Sequence, residues 1–235
     1  YLLGELKLQG TFWYYYLVVL FYKLPIGTML CSLACVPLFL FKFRLKAFAD
    51  SYLFLLLPVI FFWVILSFFN QFQTGIRHIL LVFPLLFIGL GRLFIFLKEK
   101  GKFAKILGGV AVAYTLISVA VFYPYIIPYT NEFITNKKTV YKKILDTSID
   151  YSQVHLDMKQ FLSSHPGYKN ISTVPATGKY AITMNQLFDK EKWKTSPYNW
   201  YQKIEPSGLE RYVVLLYDIK ETDLVKAGLK PPTRP

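Results

Sequence analysis

Charge is what this chain has least of. Only 17% of its 235 residues are Asp, Glu, Lys or Arg, against about a quarter in a typical water-soluble domain. Acids are scarcest: of 14, only Glu5, Asp50 and Glu99 precede Tyr123, where 11 basic residues stand. The first half is therefore apolar and basic, the second polar and mixed. Cysteine is nearly absent too. Cys31 and Cys35 lie one helical turn apart in an apolar run, which reads as packing against lipid or a neighbouring helix, since a metal site would need more ligands nearby. The three histidines, His78, His155 and His165, are too scattered to propose a metal site. No Walker loop, no GxGxxG after a strand, no HExxH and no GxSxG occurs, so the usual signatures of soluble chemistry are missing. The chain opens on Tyr1 without an initiator Met or a charged leader, and reads as cut from something longer.

What is present is hydrophobic length. A spanning helix needs about 20 mostly apolar residues, and four stretches meet that: Leu24 to Phe41, Ser51 to Ile76, Ile79 to Leu97 and Ile106 to Asn131. Arg92 is the one charge inside them, near an end where it can reach headgroups. Pro37, Pro58 and Pro84 are tolerated there. The formal charge of +13 does not indicate nucleic acid, because the basic residues sit in short clusters between apolar runs. Lys42, Arg44 and Lys46 form one cluster; Arg92, Lys98, Lys100, Lys102 and Lys105 form another. The positive-inside rule makes both cytoplasmic, and leaves the opening segment, the Gln71–His78 loop and the C-terminal part outside. Thr11 to Tyr22 (TFWYYYLVVLFY), rich in Trp and Tyr, reads as an outward interfacial segment.

These readings give an α-helical polytopic membrane protein of about four transmembrane helices with a small C-terminal α/β extracytoplasmic domain. The division is residues 1–23 as outward loop and aromatic segment, 24–128 as membrane region, and 129–235 as α/β domain. In that last part Val154, Met158, Phe161 and Leu162 mark one face of a helix ending before Pro166. Asn170–Val174 and Arg211–Ile219 read as strands, and Asp189–Lys194 as a solvated loop. Asn170-Ile171-Ser172 is a glycosylation sequon.

Two constellations carry candidate chemistry. Arg77 and His78 close an outward loop at the hydrocarbon edge. A guanidinium there suits a phosphate, and equally suits simple anchoring. The second follows the fourth stretch: Asn131, Glu132, Asp146 and Asp150, interleaved with Lys137, Lys138, Lys142 and Lys143. Its acids read as general bases, metal ligands or helix caps, with Asp150 placed as an N-cap.

Four segments then align with one family. Tyr1–Pro25 (YLLGELKLQGTFWYYYLVVLFYKLP), Gly75–Pro84 (GIRHILLVFP), Tyr129–Gln153 (YTNEFITNKKTVYKKILDTSIDYSQ) and Gly178–Leu187 (GKYAITMNQL) follow one another in register. Together they resemble the C-terminal part of polytopic GT-C glycosyltransferases of the dolichyl-phosphate-mannose protein mannosyltransferase-like group (glycosyltransferase family 39 type). The chain departs from that pattern at Leu81, Tyr151, Ser152 and Val154. The resemblance implies transfer of a sugar from a polyprenyl- or dolichyl-phosphate donor to a protein, lipid or glycan acceptor on the outer face of a bacterial inner or cell membrane. It implies donor-phosphate contacts at Arg77, His78 and Lys23. Glu5, Lys7, Asn131, Glu132, Asp146 and Asp150 would be acceptor-side or structural residues. The catalytic base is expected outside these residues, and a divalent metal is left open. The rival expectation is a non-enzymatic, membrane-anchored module whose α/β domain binds a ligand. A transporter ranks last, for want of buried ionisable residues.

Overall fold

The computed structural model describes residues 1–5, 7, 11–41, 57–70, 73, 75–145, 147–187 and 197–229. The chain divides into two compact units, one of Tyr1–Leu6 with Asn136–Pro235 and one of Lys7–Thr135.

The second unit is helical. α1 spans Tyr15–Lys23, α2 Ile26–Phe41, α4 Val82–Glu99 and α5 Lys102–Ala120; between α2 and α4, α3 runs Leu57–Phe69. Pro25 separates α1 from α2. The residue before a proline is pushed out of the helical region, and Leu24 is extended at φ −77°, ψ 133°. α4 and α5 are broken apart at Gly101, whose φ of 98° suits glycine alone. α2, α4 and α5 pack against one another. Gly27 permits the closest approach, since a Cβ there would meet the Ala111 carbonyl oxygen at 2.7 Å. Beside it the Thr28 and Thr115 hydroxyls share a hydrogen bond of 3.2 Å.

This architecture corrects the expected polytopic helical fold with four spans. Among the described residues one helix, Lys102–Ala120, is long and apolar enough to cross a membrane, and the chain also carries a four-stranded sheet. The other runs fall short for particular reasons. α2 has 16 residues. α3 is described from Leu57 and closes in a π-turn at Ile65–Phe69. The third apolar stretch is not one continuous helix: Ile76–Ile79 forms a 3-10 turn, and α4 starts at Val82 and includes Arg92, Lys98 and Glu99. Apolar composition counted these residues as continuous; backbone geometry divides them. The Lys42, Arg44 and Lys46 cluster lies outside the described residues.

The other unit is built on a mixed sheet in the order β1-β2-β4-β3, with β1 at Tyr168–Lys169, β2 at Gly178–Thr183, β3 at Gly208–Glu210 and β4 at Val214–Ile219. β1 runs parallel to β2; β2–β4 and β3–β4 are antiparallel. Tyr180, Ala181 and Ile182 are buried in succession. Successive strand residues face opposite sides, so β2 is covered on both faces. α6 (His155–Ser164) matches the predicted helix before Pro166; α7 (Met184–Leu187) and α8 (Glu221–Lys226) are short. Tyr141, Tyr201 and Tyr217 are each at most 1% exposed, and Trp200 stacks on Tyr201 at 3.7 Å between centroids.

Two strand predictions need correction here. Asn170–Val174 is not a strand, because its amides are taken by side chains. Ser172 N donates to the Tyr201 hydroxyl at 3.0 Å, Ile171 N to Asn170 Oδ1 at 2.8 Å and Val174 N to Ser172 Oγ at 3.3 Å, which leaves little for a ladder. Likewise Arg211–Val213 forms the β3–β4 turn rather than strand, with φ of 52° at Arg211 and 60° at Tyr212. Asp189–Lys194 lies outside the described residues.

Candidate functional site

In the helical unit, polar side chains gather at the two ends of α1. At its start, Gln73 pairs with the Phe12 peptide in both directions: Phe12 N donates to Gln73 Oε1 at 2.8 Å, and Gln73 Nε2 donates to Phe12 O at 2.9 Å. Gly75 N donates to the buried Tyr15 hydroxyl at 2.7 Å. These bonds hold the chain entering the 3-10 turn that carries Arg77, exposed, and His78, half-buried. Gly75 has φ 88°, a conformation that a side chain would strain.

At the other end, α1 leaves its last carbonyls without helical partners. Asn131, 0% exposed, supplies them. Its Nδ2 donates to Phe21 O at 2.5 Å and Leu24 O at 2.9 Å, and its backbone N donates to Tyr22 O at 2.8 Å. Lys23 Nζ donates to Ile127 O at 2.8 Å. Next along the chain, Glu132 accepts from Ser118 Oγ at 2.6 Å, and Ser118 shares a second bond of 2.8 Å with the Tyr129 hydroxyl. Glu132 is itself exposed, so a carboxylate at the surface is oriented by buried hydroxyls.

The predicted phosphate ligands are thus tied to a common element without converging on one point. Arg77 and His78 belong to the turn held at Tyr15, while Lys23 closes α1 about 12 Å along its axis, by helical rise. Lys7 donates to Thr11 O at 3.2 Å and lies 4.5 Å from the Phe12 ring centroid. Asp146 is outside the described residues. Glu5 belongs to the sheet unit, where it and Leu2 exchange backbone bonds of 2.8 and 2.9 Å.

Asp150 also belongs to the sheet unit, and it is not the N-cap of α6. That position is Val154, with no side-chain cap. The Asp150 carboxylate, 1% exposed, accepts from Ser152 N at 3.0 Å and Asn185 N at 2.9 Å, while Asn185 Nδ2 donates to Asp150 O at 2.5 Å. This joins the turn before α6 to α7, which follows directly on β2. It forms one wall of an open cleft of about 440 Å³, which Ser152, His155, Met158, Lys159, Asn170 and Thr183 also line. Sequence reasoning missed Asn185, Thr183, Gln186 and Lys159. One signal was there: Thr183-Met-Asn-Gln186 is a capping box, with Gln186 N donating to Thr183 Oγ1 at 3.3 Å and Thr183 N to Gln186 Oε1 at 3.0 Å.

Burial raises the tyrosine hydroxyls of this unit. Tyr1 and Tyr141 are pushed up to about 12, each by loss of water first. Tyr201 and Tyr217 are displaced in the same direction, again mainly by burial. All four stay protonated at neutral pH. Among the described residues no group of three or more His, Cys, Asp and Glu is placed to hold a metal ion. No family model, curated protein or solved structure matches the chain.

Proposed function

We propose that the chain is the C-terminal part of a membrane glycosyltransferase that moves a sugar from a polyprenyl- or dolichyl-phosphate donor to an acceptor on the outer face. The observation that supports it is the set of ties around α1. Residues from three of the segments that carry the family resemblance, far apart in sequence, meet there through Tyr15–Gly75 and through Asn131 with Phe21 and Leu24. Buried hydrogen bonds of that kind fix where Arg77, His78 and Glu132 stand, as a reacting site requires.

In this reading the acceptor oxygen attacks the anomeric carbon. The bond from that carbon to the phosphate oxygen breaks, and the lipid phosphate leaves with the electron pair. Arg77 and His78 hold the leaving phosphate through charge-assisted hydrogen bonds. Glu132 stands on the acceptor side, and a base contributed from outside these residues takes the acceptor proton. In this reading α5 is a crossing helix and the sheet unit is extracytoplasmic. The exposed apolar side chains of α5 favour this: Phe103 is 80% exposed and Leu116 66%, a surface that lipid covers without cost.

The test is sugar transfer from radiolabelled polyprenyl-phosphate mannose in membranes carrying the full-length protein. Arg77→Ala and His78→Ala each lower turnover, Arg77→Ala by on the order of 100-fold. Unchanged transfer in both variants overturns the phosphate role. The second reading, a non-enzymatic anchored binding module, is favoured by the cleft beside Asp150, and it requires that no donor be consumed at all.

A further inference from the structure

We infer that the cleft between α6 and the end of β2 binds a saccharide bearing a single phosphate. The cleft belongs to the sheet unit and the ties around α1 to the helical unit, and the inference holds whether or not the helical unit transfers sugar. His155, Met158, Lys159 and Leu162 are spaced i, i+3, i+4 and i+7, which places them on one face of α6. All four line the cleft. Two of them offer positive or hydrogen-bonding heads, and two offer an apolar strip.

Asp157, the acid of this helix, points elsewhere. It is two residues from His155, on the other side of the helix, and its carboxylate is ion-paired with Arg211. The charge of Lys159 is therefore not cancelled from its own helix. The opposite wall is polar. Asp150 and Asn170 line it, and Asp150 spends two of its roughly four acceptor positions on Ser152 N and Asn185 N. Asp150 is 1% exposed and holds the wall together, whereas the exposed amides of Asn170 and Gln186 are open to a ligand's hydroxyls.

Each part of the lining thus selects one part of a ligand. Sugar hydroxyls meet Asn170 and Gln186, the C–H face of the ring covers Met158 and Leu162, and the phosphate sits toward Lys159 and His155. About 440 Å³ is within the range of small-molecule sites. The short ties from Asp150 to Asn185 keep that wall in place before anything binds.

The experiment is calorimetric titration of the full chain with mannose 1-phosphate, methyl mannoside and inorganic phosphate in parallel. Mannose 1-phosphate binds with a dissociation constant near or below about 1 mM, and the other two bind at least about tenfold more weakly. Lys159→Gln weakens the sugar phosphate by about tenfold, and His155→Gln weakens it less. Both side chains are exposed, and unchanged melting temperatures establish that the fold is intact. The inference is overturned by absence of saturable binding up to about 10 mM, or by inorganic phosphate binding as tightly as the sugar phosphate. Affinity that survives both substitutions overturns it as well, because such binding belongs to another part of the chain.

Discussion

The two units of this chain solve the burial of polar groups in opposite ways. In the helical unit the apolar side chains of α3, α4 and α5 face outward, with Phe61 and Phe87 both 60% exposed. Several of its polar side chains bond to backbone: Asn131 onto the end of α1, Gln73 onto Phe12, Thr115 onto Ala111 O at 2.9 Å and Ser32 onto Thr28 O at 2.7 Å. In the sheet unit the interior holds aromatic side chains, and the charged ones are mostly at the surface. The difference shows what an average hydrophobicity conceals: 54% apolar content over the whole chain is the mean of one unit that displays its apolar atoms and one that hides them. Stability should therefore respond to different perturbations in the two.

The largest effect is expected at Asn131. Replacing it with Leu keeps the volume and removes every side-chain donor, so the Phe21 and Leu24 carbonyls at the end of α1 lose their partners in a buried place. An unsatisfied buried group costs about 1–3 kcal/mol, and with two affected the loss is about 4 kcal/mol. Unfolding of the purified full-length protein in mixed detergent micelles, followed by circular dichroism, measures it. If the variant unfolds with the wild type, polar ties are not what defines this unit. That result would erase the contrast between the units.

Alkaline pH sharpens the comparison from the other side. Tyr1 and Tyr141 titrate near 12 in the folded sheet unit, raised chiefly by burial, and about 10 is the unfolded value. A raised folded value means that the unfolded chain loses its proton first. The stabilisation is therefore complete below pH ~10 and drains away as pH rises toward ~12. Tyr217 lies against Tyr141 and is raised in the same sense. Tyr217→Phe removes one such proton, so its alkaline unfolding midpoint, followed by circular dichroism, moves upward while stability at pH 7 changes little. A midpoint unchanged by the substitution would show that the buried phenols do not set the alkaline limit.

Particular residues show how far the sequence could be read. The helix before Pro166 was legible because Met158 and Leu162 recur with a helical period, and the core of β4 was legible as the β-branched and aromatic run within RYVVLLYDI. What failed was decided by partners distant in sequence. Nothing local announces that Tyr201 will take the amide of Ser172, 29 residues away, so Asn170–Val174 read as a strand. Nor does anything near Asn131 announce carbonyls 107 and 110 residues back. Apolar runs gave length without boundaries: α4 begins three residues later than its run, at Val82, and takes in Arg92, Lys98 and Glu99. In the sheet unit the spacing of His155 and Lys159 is a sequence property, whereas the wall that Asp150 and Asn185 supply exists only after folding.

The smallest effect is expected where the contact is most conspicuous. Arg211 is ion-paired with Asp157, with side-chain exposures of 22% and 29%, and its Nε lies 3.7 Å from Glu210. The pair is half-buried, its side chains lose freedom in making it, and it contributes about 1 kcal/mol. Arg211 also stands at φ 52° in the β3–β4 turn, a region unfavourable to side chains. Arg211→Asn loses the ion pair but introduces a residue that tolerates this backbone conformation. The two effects offset, and the melting temperature should move by no more than a degree or two. Arg211→Gln keeps the backbone cost and loses the pair, so it falls below the Asn variant. If Gln and Asn behave alike, backbone conformation contributes nothing at this turn and the ion pair alone decides the outcome.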